Sequence, residues 1–222
     1  MDKPVISYVI LTKNEGKQLK PVFKLLSKYM ANNVCIILDD FSDDLETQKI
    51  LEELRQKKSF SIYQSKLAGD YSAHRNSVFE FCKGEYIVSI DGDEIPSEFL
   101  LRNLPEVLKA NPEIELYWVP RINNFTGVTP EYAKQWGWDI NNPNKWINWN
   151  NGDYQTRIFK NLPHIRWKGR LHERINGNRT YVFLPKEEDY AFVHNKSIEQ
   201  QLETNLRYNK DFSVQDNKGI HE

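Results

Sequence analysis

Residues 5–11 are an apolar run with no helical period, and the rhythm then changes: Leu19, Val22, Phe23, Leu26 and Met30 recur at three- and four-residue steps. The first pattern predicts a buried strand and the second an amphipathic helix. Residues 33–38 form a second apolar run, after which Ser42 or Asp43 is placed to cap a helix with Glu46 in its first turn and Ile50, Leu51 and Leu54 on one face. Residues 59–63 read as a third strand, and residues 71–82 as a helix that Gly84 would close with a left-handed cap. Residues 85–90 are apolar but for Glu85 at the start and Ser89, as a strand covered on both faces should be. Strands alternating with helices of this length predict an α/β fold: an open, mostly parallel sheet with right-handed crossovers.

Ligands of such sheets bind beyond the carboxyl ends of the strands. Three polar clusters fall there: Thr12-Lys13-Asn14-Glu15, Asp39-Asp40-Phe41-Ser42-Asp43-Asp44 and Asp91-Gly92-Asp93-Glu94. Carboxylates gathered where a buried strand emerges are costly unless positive charge sits among them, so a divalent cation carrying a phosphorylated ligand is expected. Asp-Gly between apolar runs is also a hairpin signal. Against it, Pro96 and Ser97 open a helical spacing of Phe99, Leu100 and Leu104, which Pro105 is expected to break or restart. Neither a Gly-X-Gly-X-X-Gly turn nor a Walker-type Gly-Lys-Ser/Thr follows the first strand, so glycine-rich phosphate loops are excluded.

Composition narrows this further. A chain of 222 residues suits one domain with an extension, by the rule of ~100–200 residues per domain. A net charge of −1 argues against a nucleic-acid or anionic-membrane footprint. No apolar stretch approaches the ~20 residues of a membrane span and the first residues show no signal-peptide pattern, so a cytoplasmic protein is expected. Cys35 and Cys82 lie in apolar settings and read as reduced core residues.

The order Val-Ile-Leu-Thr-Lys-Asn-Glu, Leu-Asp-Asp-Phe-Ser-Asp-Asp, His-Arg-Asn and Gly-Glu-Tyr-Ile-Val-Ser-Ile-Asp-Gly-Asp-Glu, across residues 4–95, resembles family-2 glycosyltransferases of the GT-A fold. Asp153-Tyr-Gln-Thr-Arg-Ile-Phe-Lys-Asn and Ile165-Arg-Trp-Lys-Gly-Arg-Leu-His-Glu resemble the acceptor half of a bacterial subgroup that includes lipopolysaccharide-core transferases. The resemblance implies a GT-A domain over residues 1–195, with a nucleotide-binding half at 1–95 and an acceptor half at 96–195. It further implies a nucleotide-sugar donor, most plainly a UDP-sugar, held by Mn²⁺ or Mg²⁺. By the same resemblance Asp39 would meet the nucleobase, while Thr12, Asn14 and Glu15 would border base and ribose. Arg75 would meet the nucleotide, Asp93 would ligate the metal, and Asp91 would reach the ribose or a metal-bound water. The ion would stabilise the departing diphosphate as a Lewis acid.

The second half should choose the acceptor. Residues 113–121 read as a strand carrying Trp118, and residues 123–152 as a long loop with Trp136, Trp138, Trp146 and Trp149. Those indoles could stack on a sugar or simply pin the loop. Arg170 is grouped with them as an acceptor contact, and Arg157 and Arg170 could equally pair with acids. His172 is the favoured imidazole for the metal, with His194, after the strand-like residues 190–193, behind it. Displacement at the anomeric carbon with inversion, the family's usual route, needs a base; Glu173 and Asp153 are the candidates, with Glu94 a third. Residues 196–213 carry Ile198, Leu202 and Leu206 at four-residue spacing, an amphipathic helix that docks on the domain or joins two copies, with a polar tail from about Gln215.

The sequence therefore predicts an inverting, metal-dependent glycosyltransferase. Its acceptor would be a saccharide or lipopolysaccharide, or a hydroxylated base of modified phage DNA. Two other readings stay open: a phosphohydrolase or phosphotransferase with Asp91 as nucleophile, and a non-catalytic sugar- or nucleotide-binding module.

Overall fold

The computed structural model describes residues 2–30, 33–140 and 146–217. β1 (Ile6–Thr12), β2 (Val34–Asp39), β3 (Phe60–Gln64) and β4 (Tyr86–Asp91) are parallel neighbours in the order β3-β2-β1-β4. Alternation along β1 sends Ile6, Tyr8 and Ile10 into one core, with the buried faces of α1 (Gly16–Tyr29), α2 (Leu45–Arg55) and α4 (Glu98–Ala110). Val9 and Leu11 enter a second core on the opposite face, with Phe79, Trp167 and Ile175.

A turn at Gly92 leads into β5 (Glu94–Pro96), which pairs antiparallel with β11 (Phe192–Ser197) and not with β4, so the hairpin reading falls. β7 (Tyr154–Lys160) inserts antiparallel between β4 and β6 (Leu116–Thr126), and β11 lies parallel to β6 beyond it. The sheet order is β3-β2-β1-β4-β7-β6-β11-β5, with β10 (Tyr181–Phe183) alongside the start of β6. The mostly parallel α/β sheet expected from the sequence is borne out. A separate hairpin of β8 (Arg166–Lys168) and β9 (Arg174–Asn176) covers the second face.

Several local expectations are corrected. The helix at 71–82 is α3 (Tyr71–Asn76) followed by a 3-10 turn at Phe79–Phe81, because the chain closes at Ser77 and turns Val78 and Phe79 into the second core. Gly84 is not a left-handed cap; it is a contact point, where a Cβ would lie 2.5 Å from the Ser7 amide. Asp44, and neither Ser42 nor Asp43, caps α2 by accepting from the Thr47 amide at 2.9 Å. α4 runs through Pro105, whose missing hydrogen bond is outweighed by the burial of Leu100, Leu101, Leu104 and Leu108. The stretch 123–152 is no uniform loop: β6 runs to Thr126, and α5 (Pro130–Trp136) follows, capped by Thr129 and closed by left-handed Gly137; residues 141–145 lie outside the described residues.

α6 (Ile198–Asp211) leaves β11 directly through a Ser197/Gln200 capping box. It docks on its own domain, with the rings of Tyr208 and Phe212 against Tyr71. The polar tail begins with one further helical turn, α7 (Val214–Asn217), and the rest lies outside the described residues. Among the described residues no helix is long and apolar enough to cross a membrane.

Candidate active site

A cavity of about 670 Å³ opens at the carboxyl ends of β1 and β4 and is walled by α3, the β8–β9 loop, β7 and α6. Of the residues singled out from sequence, Thr12, Asn14, Glu15, Arg75, Asp91, Asp93, His172 and Glu173 line it together, although they span more than 160 positions of chain. Gly92 lets Asp91 and Asp93 sit on either side of a tight turn; a Cβ there would fall 1.9 Å from Glu15 Oε2.

His194, more than His172, stands at the acidic turn. Its Nε2 is 3.0 Å from Asp93 Oδ2, and its Nδ1 is 3.0 Å from Asn123 Oδ1. Asn123 is oriented by donating Nδ2 to Asp153 Oδ2 at 2.6 Å, so its oxygen faces the imidazole and receives the Nδ1 proton. Nε2 then points its own proton at the Asp93 carboxylate, and a divalent cation replacing that proton would meet one nitrogen and one carboxylate. Burial pushes the Asp93 carboxyl up, but His194 holds it below the usual range. Glu15 shifts the other way: against hydrogen bonds from the Lys13 amide and Thr12, burial and then Asp93 push it up to about 8. Among the described residues no three His, Cys, Asp or Glu side chains form a closed metal cage. A magnesium-like site completed by substrate phosphates needs only one or two carboxylates, so Asp93 with His194 fits it and Glu15 marks the deficit of positive charge. His172, at φ 55° in the β8–β9 loop, lines the cavity and meets Tyr208 edge-on.

Asp91 has a different neighbourhood. Its Oδ1 accepts from Arg75 Nη2 at 2.6 Å and its Oδ2 from Arg157 Nη2 at 2.5 Å. Burial would raise its pKa, and the two guanidinium groups hold it well below the carboxylate range. With both oxygens engaged, Asp91 is unsuited to be an aspartyl nucleophile, which removes the structural basis of the phosphotransfer reading. Arg75 also donates Nε to Glu173 Oε1 at 2.5 Å and lies over the Trp167 ring at 4.7 Å. Asp70 caps α3 so that Arg75 points inward, and Asn76 joins α3 to β8 by a reciprocal pair of bonds with Trp167.

Glu94 is overturned as a base. It is 1% exposed and gripped by Arg157 through Nε at 2.8 Å and Nη2 at 2.6 Å, away from the cavity. Asp153 accepts from Arg121, Asn123 and Gln155, and against its burial these contacts hold its pKa down. Of the three carboxylates only Glu173 lines the cavity.

Asp39 is fully buried and turned away from the cavity, with Oδ1 accepting from the Ser42 amide and Oδ2 from Gln64 Nε2, both at 3.0 Å. Asp40 is the residue in the wall, beside Lys13, which donates to its backbone carbonyl at 2.6 Å. Trp136, Trp138, Trp146 and Trp149 do not line the cavity: Trp136 packs on Trp138, Trp138 on Phe125, and Trp146 on Trp149. Arg170 donates to the Gly69 carbonyl outside it. Sequence reasoning missed Trp118, Arg121, Lys196 and Arg207 as cavity residues. Only the period of α6 hinted at the last, since Gln200, Thr204 and Arg207 share one helix face.

A family model described as glycosyl transferase family 2 matches residues 7–181. An uncharacterised glycosyltransferase, MJ1057, of Methanocaldococcus jannaschii is 27% identical over 140 residues, covering 61% of this chain and 48% of the relative. The prophage-derived glycosyltransferase SunS of Bacillus subtilis is 28% identical over 131 residues, covering 57% and 29%. The chain thus spans about half, or less, of the length of these curated relatives. Among solved structures, TarS 1-349 of S. aureus in complex with UDP superposes with a TM-score of 0.57 at 15% identity, covering 90% of this chain and 62% of that one. The same protein in complex with UDP-GlcNAc gives 0.58 at 16%, covering 86% and 58%.

Proposed function

Since the chain belongs to glycosyl transferase family 2, we propose that it moves a sugar from a UDP-sugar to an acceptor hydroxyl, with inversion and with a divalent cation. The observation that carries this is the Asp93–His194 pair at the carboxyl end of the sheet, with Asp93 in the cavity wall and Lys196 two residues along β11 from His194 in the same wall. UDP and UDP-GlcNAc bound to the structurally similar TarS support a uridine donor.

Thr12, Asn14 and Asp40 border the nucleoside, and Asp39 sets the loop that presents Asp40. Asn14, at φ 57°, exchanges bonds with Ser42 and Asp43, which fixes that border. Asp93 and His194 hold the cation, which supplies Lewis-acid stabilisation to the diphosphate leaving group. Lys196, beside His194 on β11, and Arg207 of α6 add positive charge to the same cavity for the diphosphate. Asp91, neutralised by Arg75 and Arg157, serves as a rigid floor and hydrogen-bond acceptor for ribose. Glu173 takes the acceptor proton, its carboxylate aimed by Arg75. The α6 helix, docked as a cavity wall, counts as part of the site and not as a dimer arm.

Calorimetric titration of UDP, GDP and ADP with and without Mn²⁺ tests the donor assignment. UDP should bind best, and only with full affinity when metal is present. Equal binding of all three, or no effect of metal, would sink it.

A further inference from the structure

We propose that the ring ladder Trp118–Phe183–Tyr181 is an acceptor subsite for a neutral oligosaccharide, laid across the open aromatic face of β10 with its reacting end in the cavity. This rests on the transferase reading above and adds the chemistry of the acceptor. Trp118 and Tyr154 stand in the cavity wall. Phe183 stacks on Trp118, centroids 5.6 Å apart and planes 18° apart, and meets Tyr154 edge-on at 5.0 Å. Tyr181, two residues back on the same face, meets Phe183 edge-on at 5.9 Å. The parallel register of β10 on β6, Phe183 opposite Trp118 and Tyr181 opposite Leu116, is what lines the rings up.

Exposure grows outward from the site. Trp118 is half-buried, Phe183 is 51% exposed and Tyr181 is 59% exposed. Contiguous open rings joined to a cavity mark a binding surface, because folding alone gains little from leaving them in water. A pyranose fits their chemistry: its C–H face stacks on an aromatic ring while its hydroxyls stay hydrated at the rim. Charge separates it from the other stacking ligand, a nucleic acid. The chain leaving β10 carries Lys186 but then Glu187, Glu188 and Asp189, a net negative run that disfavours a polyanion.

The test is saturation-transfer NMR on the full chain with maltotetraose, cellotetraose and chitotetraose as probes, for wild type, Phe183→Ala and Tyr181→Ala. At least one tetrasaccharide should receive saturation on its ring C–H protons, and each alanine should weaken its binding about fivefold to tenfold, the loss of one ring contact. Phe183 touches three rings and Tyr181 only one, so Tyr181→Ala keeps the test open if Phe183→Ala unfolds. The proposal is overturned if no tetrasaccharide responds, or if both folded variants bind like wild type. It is equally overturned if an oligothymidylate occupies the face instead, or if sedimentation shows a dimer that Tyr181→Ala dissolves. UDP calorimetry on the wild type is read separately: absence of UDP binding removes the donor reading, while the NMR result still decides the sugar subsite.

Discussion

His194 Nε2 lies 3.0 Å from Asp93 Oδ2, although 101 residues separate them in the chain. Asn123 holds the far side of the imidazole, so Nε2 is aimed at the carboxylate of Asp93, which lines the cavity. Asp93→Asn and His194→Ala should each abolish the Mn²⁺ enhancement of UDP binding, lowering affinity about tenfold or more in metal, as loss of a ligand or its supporting shell does elsewhere. Without metal, the variants and wild type should titrate alike. Metal enhancement surviving in both variants would move the cation elsewhere.

Arg157 holds the cavity floor by pairing with Asp91 and Glu94 together. It is 5% exposed, and burial, which would lower its pKa, is outweighed by those two carboxylates. Arg157→Ala should therefore destabilise the fold by about 3–5 kcal/mol, because Glu94 is left inside the domain with Arg121 alone at 3.5 Å and Asp91 with Arg75 alone. Denaturant unfolding measures this. A loss under about 1 kcal/mol, the size of a surface ion pair, would contradict the floor assignment.

Asp153 supplies a pH signature. Its carboxyl is held low in the folded state by Arg121, Asn123 and Gln155, against its burial. The unfolded chain therefore takes up the proton first: the stabilisation is complete above the unfolded value of about 4 and fades as pH falls through the lower folded value. The gap in melting temperature between wild type and Asp153→Asn should thus be widest near neutrality and close below about pH 4. A gap independent of pH would show that the variant acts through shape alone.

Lys196 lies in the cavity wall near Asp93 and Glu15; burial, the largest effect on it, holds its pKa down despite those acids. Lys196→Ala should raise the KM for donor hydrolysis about tenfold, the loss of one charge-assisted contact, and Lys196→Arg should restore most of it. An effect on melting temperature with no effect on KM would make Lys196 structural.

Much of this architecture was legible, and the gaps have physical causes. Of the four strands of the first half, β1, β2 and β4 are largely apolar, buried runs and β3 alternates Phe60 and Ile62 with Ser61, so all four and their carboxyl ends could be placed by period. β8, β9 and β10 are three residues each, too short to show any period. The ranking of His172 over His194 followed the chain neighbourhood of a motif. Proximity to Asp93 is instead set by β11 pairing with β5, a contact no local pattern announces. Likewise the three arginines on the acids come from α3, β6 and β7, and only the sheet order puts them side by side. The caps of α5, Thr129, Pro130 and Gly137, were present in the sequence and were obscured by the surrounding tryptophans.

The insertion of β7 beside β4 also governs how the molecule must be born. As the chain leaves the ribosome, β4 is complete about seventy residues before its partner, and its apolar edge waits unpaired until Ile158 and Phe159 emerge. Until that strand arrives Asp91 has Arg75 but lacks Arg157, its second guanidinium partner. A nascent chain stalled between residues 95 and 150 would therefore be a prime client for chaperones.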